Sequence, residues 1–374
     1  MENYLLFYLK TGGGHLAPAK AISKYFNDNY SDINIVLADG LEESPLFVKK
    51  IIEDGYGLLQ SKAKWYYEFL YATNKFLPIG FLNISLTNYF VSDYIKKLIL
   101  ELKPSKIVIF HFFLIAPVYR ILNELESYIP TLTVVTDPYT AHPLWFQNKR
   151  QKYVIFSDKL LMECIKKKIS SENLFLNPFI VDQKFSTAMD ENQKKDFCIS
   201  KNILNDSKTI LLLGGGDGLP CAEKVLVELL SNNSCNYQII IVCGKNKELF
   251  EKGTELKKKF PQLIVFGYVD FVYELLNISD VVITKCGAST IMEILLLKKV
   301  PIIIDYIWEQ EKGNMEFVRD NKMGIYEKRI SLIPQIVSRL FTDKSYYTSF
   351  IKNIESAKLK IGTASVSRTI KMLK

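Results

Sequence analysis

The chain has 374 residues and a mass of 43.1 kDa, more than a single hydrophobic core usually serves, so two domains are expected. Apolar residues make up 48% and charged residues 24%, a balance that excludes disorder, collagen and coiled coil as descriptions of the whole chain. The net charge of +8 favours an anionic partner such as a nucleotide, a nucleic acid or an acidic membrane surface.

The first half of the chain alternates strands with helices. Tyr4–Lys10 has the pattern of a buried strand, and it is followed by a glycine turn and a helix from about Ala17 to Asn27. The same alternation continues with strands at Ile33–Ala38, Ile107–His111 and Thr131–Thr136 and a helix at Ile115–Leu125. Such alternation is typical of a parallel sheet covered by helices on both faces.

One stretch, Pro45–Leu100, interrupts this rhythm, because it shows no strand pattern and twelve of its 56 residues are aromatic. Trp65, Tyr66 and Phe69 lie close together in it, beside two lysines. A surface that mixes aromatic rings with lysines is what a helix needs to dock on a membrane. The alternative is that these rings cover the sheet of the first domain.

A polar interval at Val181–Ser207 precedes a second series of strands and helices. Its strands are predicted at Thr209–Leu213, Gln238–Cys243, Leu263–Gly267, Val281–Lys285 and Val300–Asp305. The sequence therefore predicts an α/β fold of two Rossmann-like domains, residues 1–180 and 181–345, with a cleft between them. Residues 346–374 are predicted to be helical, and these helices could return to the first domain.

Two further patterns bear on function. No apolar run reaches the roughly 18–20 residues that a membrane-spanning helix requires. The six cysteines form no CxxC pair and the three histidines form no HExxH motif, so reduced thiols and no metal site are expected. Together these patterns favour a cytoplasmic protein that needs no metal.

The first candidate site is the segment Thr11-Gly12-Gly13-Gly14-His15, between the first strand and its helix. Glycines let the backbone approach a ligand closely, and ligands of open α/β sheets bind at the carboxyl ends of the strands. A histidine there can take a proton from an alcohol. The alternative is a histidine that caps the helix or packs in the core.

The second domain carries two comparable turns. Gly214–Gly218 follows its first strand, and its alternative is a tight turn with no ligand. Further on, Ser289 and Thr290 begin a helix whose hydroxyls and free amides suit a diphosphate, while Glu293 could accept hydrogen bonds from a ribose. The alternative is a capping box between Thr290 and Glu293.

The last candidate segment follows the fifth strand of the second domain. Gln310 and Asn314 are four residues apart and share one face of a helix. Their amides offer both donors and acceptors, which suits the hydroxyl groups of a sugar. The alternative is a polar turn that faces solvent.

Taken in chain order, these segments resemble glycosyltransferase family 28, and within it the glycolipid branch of monogalactosyldiacylglycerol synthases and diacylglycerol glucosyltransferases. The resemblance covers most of the chain. Its most specific segments are Asp137 followed by His142-Pro143-Leu144-Trp145-Phe146, and Gln310-Glu311 followed by Gly313-Asn314. It implies a GT-B fold, in which the first domain binds the acceptor and docks on the membrane and the second domain binds a UDP-sugar.

The resemblance also implies a role for each candidate residue. On the donor, it implies Tyr268 and Val269 at the uracil, Glu293 at the ribose, Gly215, Gly216, Ser289 and Thr290 at the diphosphate, Gln310 and Asn314 at the hexose, and Gly287 as a further binding residue. On the acceptor, it implies Gly13, Gly14, His142 and Trp145 as binding residues and His15 as the general base. Asp137 and Asp39 are rival bases, or groups that orient His15.

The implied reaction is an inverting transfer of a hexose from UDP-glucose or UDP-galactose to diacylglycerol or a related lipid. The product would be a β-glycolipid, and no cofactor is required. The implied location is the cytoplasmic face of an anionic membrane, docked through Trp65, Tyr66 and Phe69, and no nucleic acid is expected as a partner. The alternatives are a peptidoglycan-precursor N-acetylglucosaminyltransferase, a UDP-sugar 2-epimerase and a nonenzymatic binding protein. The identity of the sugar, the acceptor lipid, processivity and oligomeric state stay open.

Overall fold

A computed structural model of the chain describes residues 1–10, 13–50, 77–232 and 237–374, and of residues 47 and 77–89 the backbone alone. Thr11 and Gly12, and the predicted membrane residues Trp65, Tyr66 and Phe69, lie outside the described residues.

The chain divides into two compact units, and it crosses between them more than once. The first unit comprises Met1–Gln183, Trp308–Gln310 and Ile361–Lys374, and the second comprises Lys184–Ile307 and Glu311–Lys360. Both ends of the chain therefore belong to the first unit.

The first unit contains a parallel sheet with the strand order β2-β1-β3-β4-β5-β6. Its strands are β1 (Glu2–Tyr8), β2 (Ile33–Asp39), β3 (Lys106–Ile109), β4 (Thr131–Val134), β5 (Lys152–Ile155) and β6 (Leu174–Leu176). Its first helices are α1 (Gly13–Asn29), α2 (Leu46–Lys49), α3 (Leu77–Leu102), α4 (Ile115–Glu124) and α5 (Asp158–Lys166). β1 carries the unbroken buried run Tyr4–Phe7, as expected of a strand that is covered on both faces.

The second unit contains a second parallel sheet, with the order β12-β11-β10-β7-β8-β9. Its strands are β7 (Lys208–Leu213), β8 (Tyr237–Val242), β9 (Leu263–Phe266), β10 (Val281–Lys285), β11 (Val300–Asp305) and β12 (Ile325–Tyr326). Its helices are α6 (Glu191–Lys201), α7 (Ala222–Ser231), α8 (Lys247–Lys259), α9 (Val272–Ile278), α10 (Ala288–Leu296), α11 (Lys312–Asp320), α12 (Ile333–Thr342) and α13 (Lys344–Ser356).

The last helix, α14 (Thr363–Lys371), packs against α1 of the first unit. The Thr363 hydroxyl donates a hydrogen bond to the Val181 carbonyl at 2.5 Å. Lys106 Nζ donates to the carbonyl of Lys371. Because Val366 and Ile370 are fully buried, α14 completes the core of a domain that begins at the other end of the chain.

The predicted α/β class with two Rossmann-like domains is confirmed, since each unit has its own parallel sheet with intervening helices. Three short strands, β5, β6 and β12, are absent from the sequence prediction, and β6 and β12 have only three and two residues, too few to show a period. Two helices also begin earlier than predicted. Gly13 and Gly14 form the first turn of α1, and α10 begins at Ala288.

Candidate functional site

Each sheet reverses its strand order at one point, and this is where ligands of open α/β sheets bind. In the first sheet the reversal lies between β1 and β3, because β2 and β3 pair with opposite edges of β1. The segments that leave the carboxyl ends of β1, β3 and β4 carry His15, His111 and Thr136. The candidate site of the first unit is built from these three segments.

All three histidines of the chain belong to one aromatic cluster at this edge of the sheet. The ring centroids of His15 and His111 are 4.4 Å apart, and those of His15 and Trp145 are 6.1 Å apart. Phe112 joins the cluster, because its ring stacks on His111 at 4.7 Å and on His142 at 5.5 Å. Residues more than a hundred positions apart in the sequence therefore form one packed group.

His15 is 4% exposed, and its Nδ1 lies 2.7 Å from the Thr136 hydroxyl. Burial lowers the pKa of His15 to about 4, although a hydrogen bond with the backbone of Phe110 acts in the opposite direction. The imidazole is therefore neutral at pH 7 and can accept a proton.

The other two histidines have local partners. His111 Nδ1 accepts from the Phe113 amide and His142 Nδ1 from the Leu144 amide, each at 3.2 Å, so each ring caps a short 3₁₀ helix. Burial, together with the neighbouring His15, lowers the pKa of His111 well below its usual value. His142 and Trp145, predicted to bind the acceptor, are both buried.

The rival carboxylates have partners of their own. Asp137 Oδ2 accepts from Trp145 Nε1 at 2.7 Å, and its Oδ1 accepts from Gln310 Nε2 at 3.3 Å within the first unit. Asp39 pairs with Lys10 Nζ at 3.1 Å. The side chain of His15 is hydrogen-bonded to Thr136, one residue before the predicted Asp137.

Gly13 and Gly14, the other predicted acceptor residues, are exposed in the first turn of α1. A Cβ atom added at either position would meet no described atom within 4 Å. Open space therefore borders the helical turn that carries His15.

In the second unit, the loop after β7 depends on glycine backbone geometry. Gly215 and Gly218 have φ of +82° and +81°, and a Cβ at Gly214 would lie 2.2 Å from the Gly218 carbonyl oxygen. Gly244 supports this loop from the end of β8, since a Cβ there would lie 2.3 Å from the Gly216 carbonyl oxygen. A Cβ at Gly216 itself would meet no described atom within 4 Å.

The capping-box alternative for Thr290 and Glu293 is wrong. Helix α10 has Gly287 as its N-cap with no side-chain hydrogen bond, and Thr290 is the third residue of the helix. Gly287 therefore offers no side-chain cap to the first amides of α10, and these amides suit an anion. The Ser289 hydroxyl is buried and has no hydrogen-bond partner among the described residues.

A partly buried ion pair lies beside Gly287. Lys285 Nζ donates to Glu311 Oε1 at 2.8 Å, and Glu311 Oε2 accepts from the Ile307 amide at 2.9 Å. Asn314 Nδ2 donates to the Cys286 carbonyl at 2.9 Å, while its buried Oδ1 has no partner among the described residues. These contacts fix the segment between β10 and α10 against the start of α11.

Most predicted donor residues follow the carboxyl ends of strands in the second sheet. They are Gly215 and Gly216 after β7, Tyr268 and Val269 after β9, Gly287, Ser289, Thr290 and Glu293 after β10, and Asn314 after β11. Tyr268 is exposed, whereas Asn314 is buried. Gln310 is the exception, because it belongs to the first unit.

The sequence analysis assigns no role to Thr136, His111 or Glu311, although each lies in or beside a predicted strand or candidate segment. The position of Thr136 beside Asp137 could have identified it. Side chains of neighbouring residues in an extended segment point to opposite faces of the sheet, so Thr136 and Asp137 are not expected to face His15 together.

The described ranges of the chain contain no group of three or more His, Cys, Asp or Glu side chains that could hold a metal ion. Within the same ranges, no helix is both long and apolar enough to cross a membrane.

Comparison with known families matches both halves of the chain. Residues 15–177 match the family described as monogalactosyldiacylglycerol (MGDG) synthase, and residues 209–359 match the glycosyltransferase family 28 C-terminal domain. A probable monogalactosyldiacylglycerol synthase of Nicotiana tabacum is 28% identical over 91% of this chain, which spans 64% of that relative's length. A processive diacylglycerol beta-glucosyltransferase of Bacillus pumilus is 26% identical over 99% of this chain and 94% of its own.

Solved structures show the same fold. MurG of Acinetobacter baumannii superposes with a TM-score of 0.63 at 13% identity, covering 99% of both chains. UGT71G1 of Medicago truncatula, solved with UDP-glucose, gives a TM-score of 0.59 at 13% identity over 98% of this chain and 94% of its own. The expected GT-B fold is therefore confirmed.

Proposed function

Because this chain belongs to glycosyltransferase family 28, in its monogalactosyldiacylglycerol synthase branch, we propose that it transfers a hexose from a UDP-sugar to the hydroxyl of a diacylglycerol-type lipid. The names of its Nicotiana tabacum and Bacillus pumilus relatives, a monogalactosyldiacylglycerol synthase and a diacylglycerol beta-glucosyltransferase, support the acceptor class. The UDP-glucose in the Medicago truncatula structure supports the donor class. The observation that carries the proposal is a neutral, buried imidazole at the strand-reversal point of the first sheet.

In the proposed reaction, the first unit binds the acceptor and the second unit binds the donor. His15 takes the proton of the acceptor hydroxyl while the oxygen attacks the anomeric carbon and the bond to UDP breaks. Base catalysis of this kind contributes about 10²–10⁴-fold to the rate. A single displacement inverts the anomeric carbon, so an α-linked donor gives a β-glycolipid.

The second unit offers groups for the leaving UDP that need no metal and no cofactor. The first amides of α10 carry partial positive charge, and the half-buried Gly215–Gly216 backbone leaves room for a diphosphate. Ser289 and Asn314 each keep a buried oxygen with no partner among the described residues. These atoms are the proposed contacts to the diphosphate and to the hexose, respectively.

The proposal includes reversible attachment to the cytoplasmic face of an anionic membrane, because a water-insoluble acceptor has to be collected from the bilayer. The net charge of +8 and the aromatic stretch between Pro45 and Leu100 support this attachment.

The test is to incubate purified protein with diacylglycerol vesicles and, in separate reactions, UDP-glucose and UDP-galactose. We expect a β-hexosyl diacylglycerol, identified by mass spectrometry and by the NMR coupling of its anomeric proton. UDP-N-acetylglucosamine with a lipid-linked peptidoglycan precursor tests the first alternative function, and conversion of a UDP-sugar with no acceptor tests the epimerase.

The role of His15 is tested by two variants of the first unit. We expect His15→Ala to lower kcat by about 10²–10⁴-fold. Asp137→Ala is the rival variant. Near-normal turnover in His15→Ala, together with none in Asp137→Ala, would overturn the assignment of the base.

A further inference from the structure

The side chain of His15 has a hydrogen-bond partner that plays no part in the proposed reaction. His15 Nδ1 and Thr136 Oγ1 are 2.7 Å apart, and both side chains are buried. The two residues are 121 positions apart in the sequence, on α1 and after β4. A helix and the segment after a strand therefore meet at one nitrogen of the imidazole.

The charged and titratable groups around His15 are engaged elsewhere. Asp137 accepts from Trp145 Nε1, and Asp39 pairs with Lys10. From the segment after β3, His111 faces the ring of His15 edge-on and holds its own Nδ1 against a backbone amide. The His15 ring therefore shares its side-chain hydrogen bond with a neutral hydroxyl, and the backbone of Phe110 is a further hydrogen-bond partner of the ring.

We infer that Thr136 is a positioning residue: its hydroxyl accepts the proton on Nδ1 of His15 and so leaves the lone pair of Nε2 for the acceptor hydroxyl. This inference rests on the proposed function, in which His15 is the base. A base needs one nitrogen without a proton, and a partner that holds the other nitrogen fixes both the tautomer and the direction of the ring.

The use of a hydroxyl in place of a carboxylate has a chemical consequence. When Nε2 takes the acceptor's proton, the ring becomes an imidazolium that donates from Nδ1 to Thr136. A neutral hydroxyl stabilises that cation less than a carboxylate does, so the proton is released readily after transfer. The low pKa of His15, caused mainly by burial, agrees with this picture.

The kinetic test compares Thr136→Val, which has a similar shape but no hydroxyl, with Thr136→Ser, which keeps it. We expect kcat of the valine variant to fall by about 10- to 100-fold with little change in KM for either substrate, because the ring is misdirected while the binding surfaces are intact. The serine variant should retain most of the activity. Equal losses in both variants, or full activity in the valine variant, would overturn the inference.

A second measurement needs no turnover. In protein labelled with ¹⁵N at histidine, we expect the His15 signals, assigned by their loss in His15→Ala, to show a proton on Nδ1 and none on Nε2. Thr136→Val should shift this tautomer balance. A proton on Nε2 in the unmodified protein would overturn the inference even where the valine variant does not fold. If the protein makes no glycolipid, the proposed function fails, and these spectra still decide how Thr136 and His15 are arranged.

Discussion

At the scale of single residues, the buried imidazole of His15 makes stability depend on pH. Its pKa is about 4 in the folded chain against 6.5 when unperturbed, so between these values the unfolded chain binds a proton that the folded chain does not. The free energy of unfolding should therefore fall as the pH drops from 6.5 towards 4 and should not change through this group above that window. Across the whole window, the free energy of unfolding should fall by about 3 kcal/mol through this group.

The measurement is urea unfolding of the unmodified protein and of His15→Gln at several pH values between 4.5 and 7.5. We expect the variant to lose less stability on acidification, because it lacks the titrating group. Some slope should persist in the variant, since burial also keeps the pKa of His111 low. Parallel curves for the two proteins would contradict the assignment.

The same residues mark the limit of sequence prediction. Glycines followed by a histidine after a strand were enough to identify His15 as a candidate base. The hydrogen-bond partner of His15 could not be predicted, because it lies 121 residues away in the sequence. Which residue of the segment after β4 faces the ring depends on the three-dimensional fold. The family motif contains Asp137, whereas the side chain hydrogen-bonded to His15 is that of Thr136. Only three-dimensional packing distinguishes these two neighbours in the chain.

At the scale of secondary-structure elements, the glycines in and beside the loop after β7 are of two kinds. Some have no room for a Cβ atom, whereas Gly216 has open space at that position. Gly244 has φ of +59° and no room for a Cβ, so Gly244→Ala should destabilise the second unit by about 2 kcal/mol or more. Gly216→Ala meets open space and should leave stability within about 0.5 kcal/mol.

If the diphosphate lies against this loop, Gly216→Ala should nevertheless weaken UDP binding, because its methyl group occupies the open space. The measurement is calorimetric titration with UDP, alongside thermal unfolding of both variants. Unchanged affinity in the Gly216→Ala variant would place the diphosphate elsewhere.

The sequence predicted strands of four to seven residues and missed the two shortest, β6 and β12, together with β5. The strands around Tyr4, Thr209 and Val281 are long apolar runs that parallel sheets bury on both faces. The start of α1 was predicted four residues too late, because glycines were read as a turn although Gly13 and Gly14 are helical. The weak helix propensity of glycine gave way here to the packing of the rest of α1 on the sheet.

At the scale of the whole molecule, the first unit depends on the end of the chain. Deleting residues 361–374 removes the buried side chains of Val366, Ile370 and Leu373, whose burial contributes roughly 5 kcal/mol or more together. We expect the truncated protein to expose its first unit to proteolysis while the second unit stays resistant. Adding the missing segment as a peptide should restore protection, and resistance equal to that of the full chain would contradict the dependence.

Attachment to membranes also belongs to this scale, since it uses the net charge of the chain. We expect binding to vesicles, measured by co-sedimentation, to rise with the fraction of anionic lipid and to fall with added salt. Replacing Trp65, Tyr66 and Phe69 by alanine should weaken binding at all salt concentrations, because these rings make the apolar contribution. Binding that is indifferent to salt and lipid charge would remove the electrostatic part of the proposal.

The location of both ends of the chain in the first unit has a mechanical consequence. A single-molecule instrument that holds Met1 and Lys374 would apply force to β1 and to the segment that contains α14. Most of the second unit lies between two segments of the first unit in the sequence, so it carries no force while the first unit is folded. The first rupture should therefore release the first unit. Tension would reach the second sheet only afterwards, so the order of rupture is set by the path of the chain and not by which unit is the weaker.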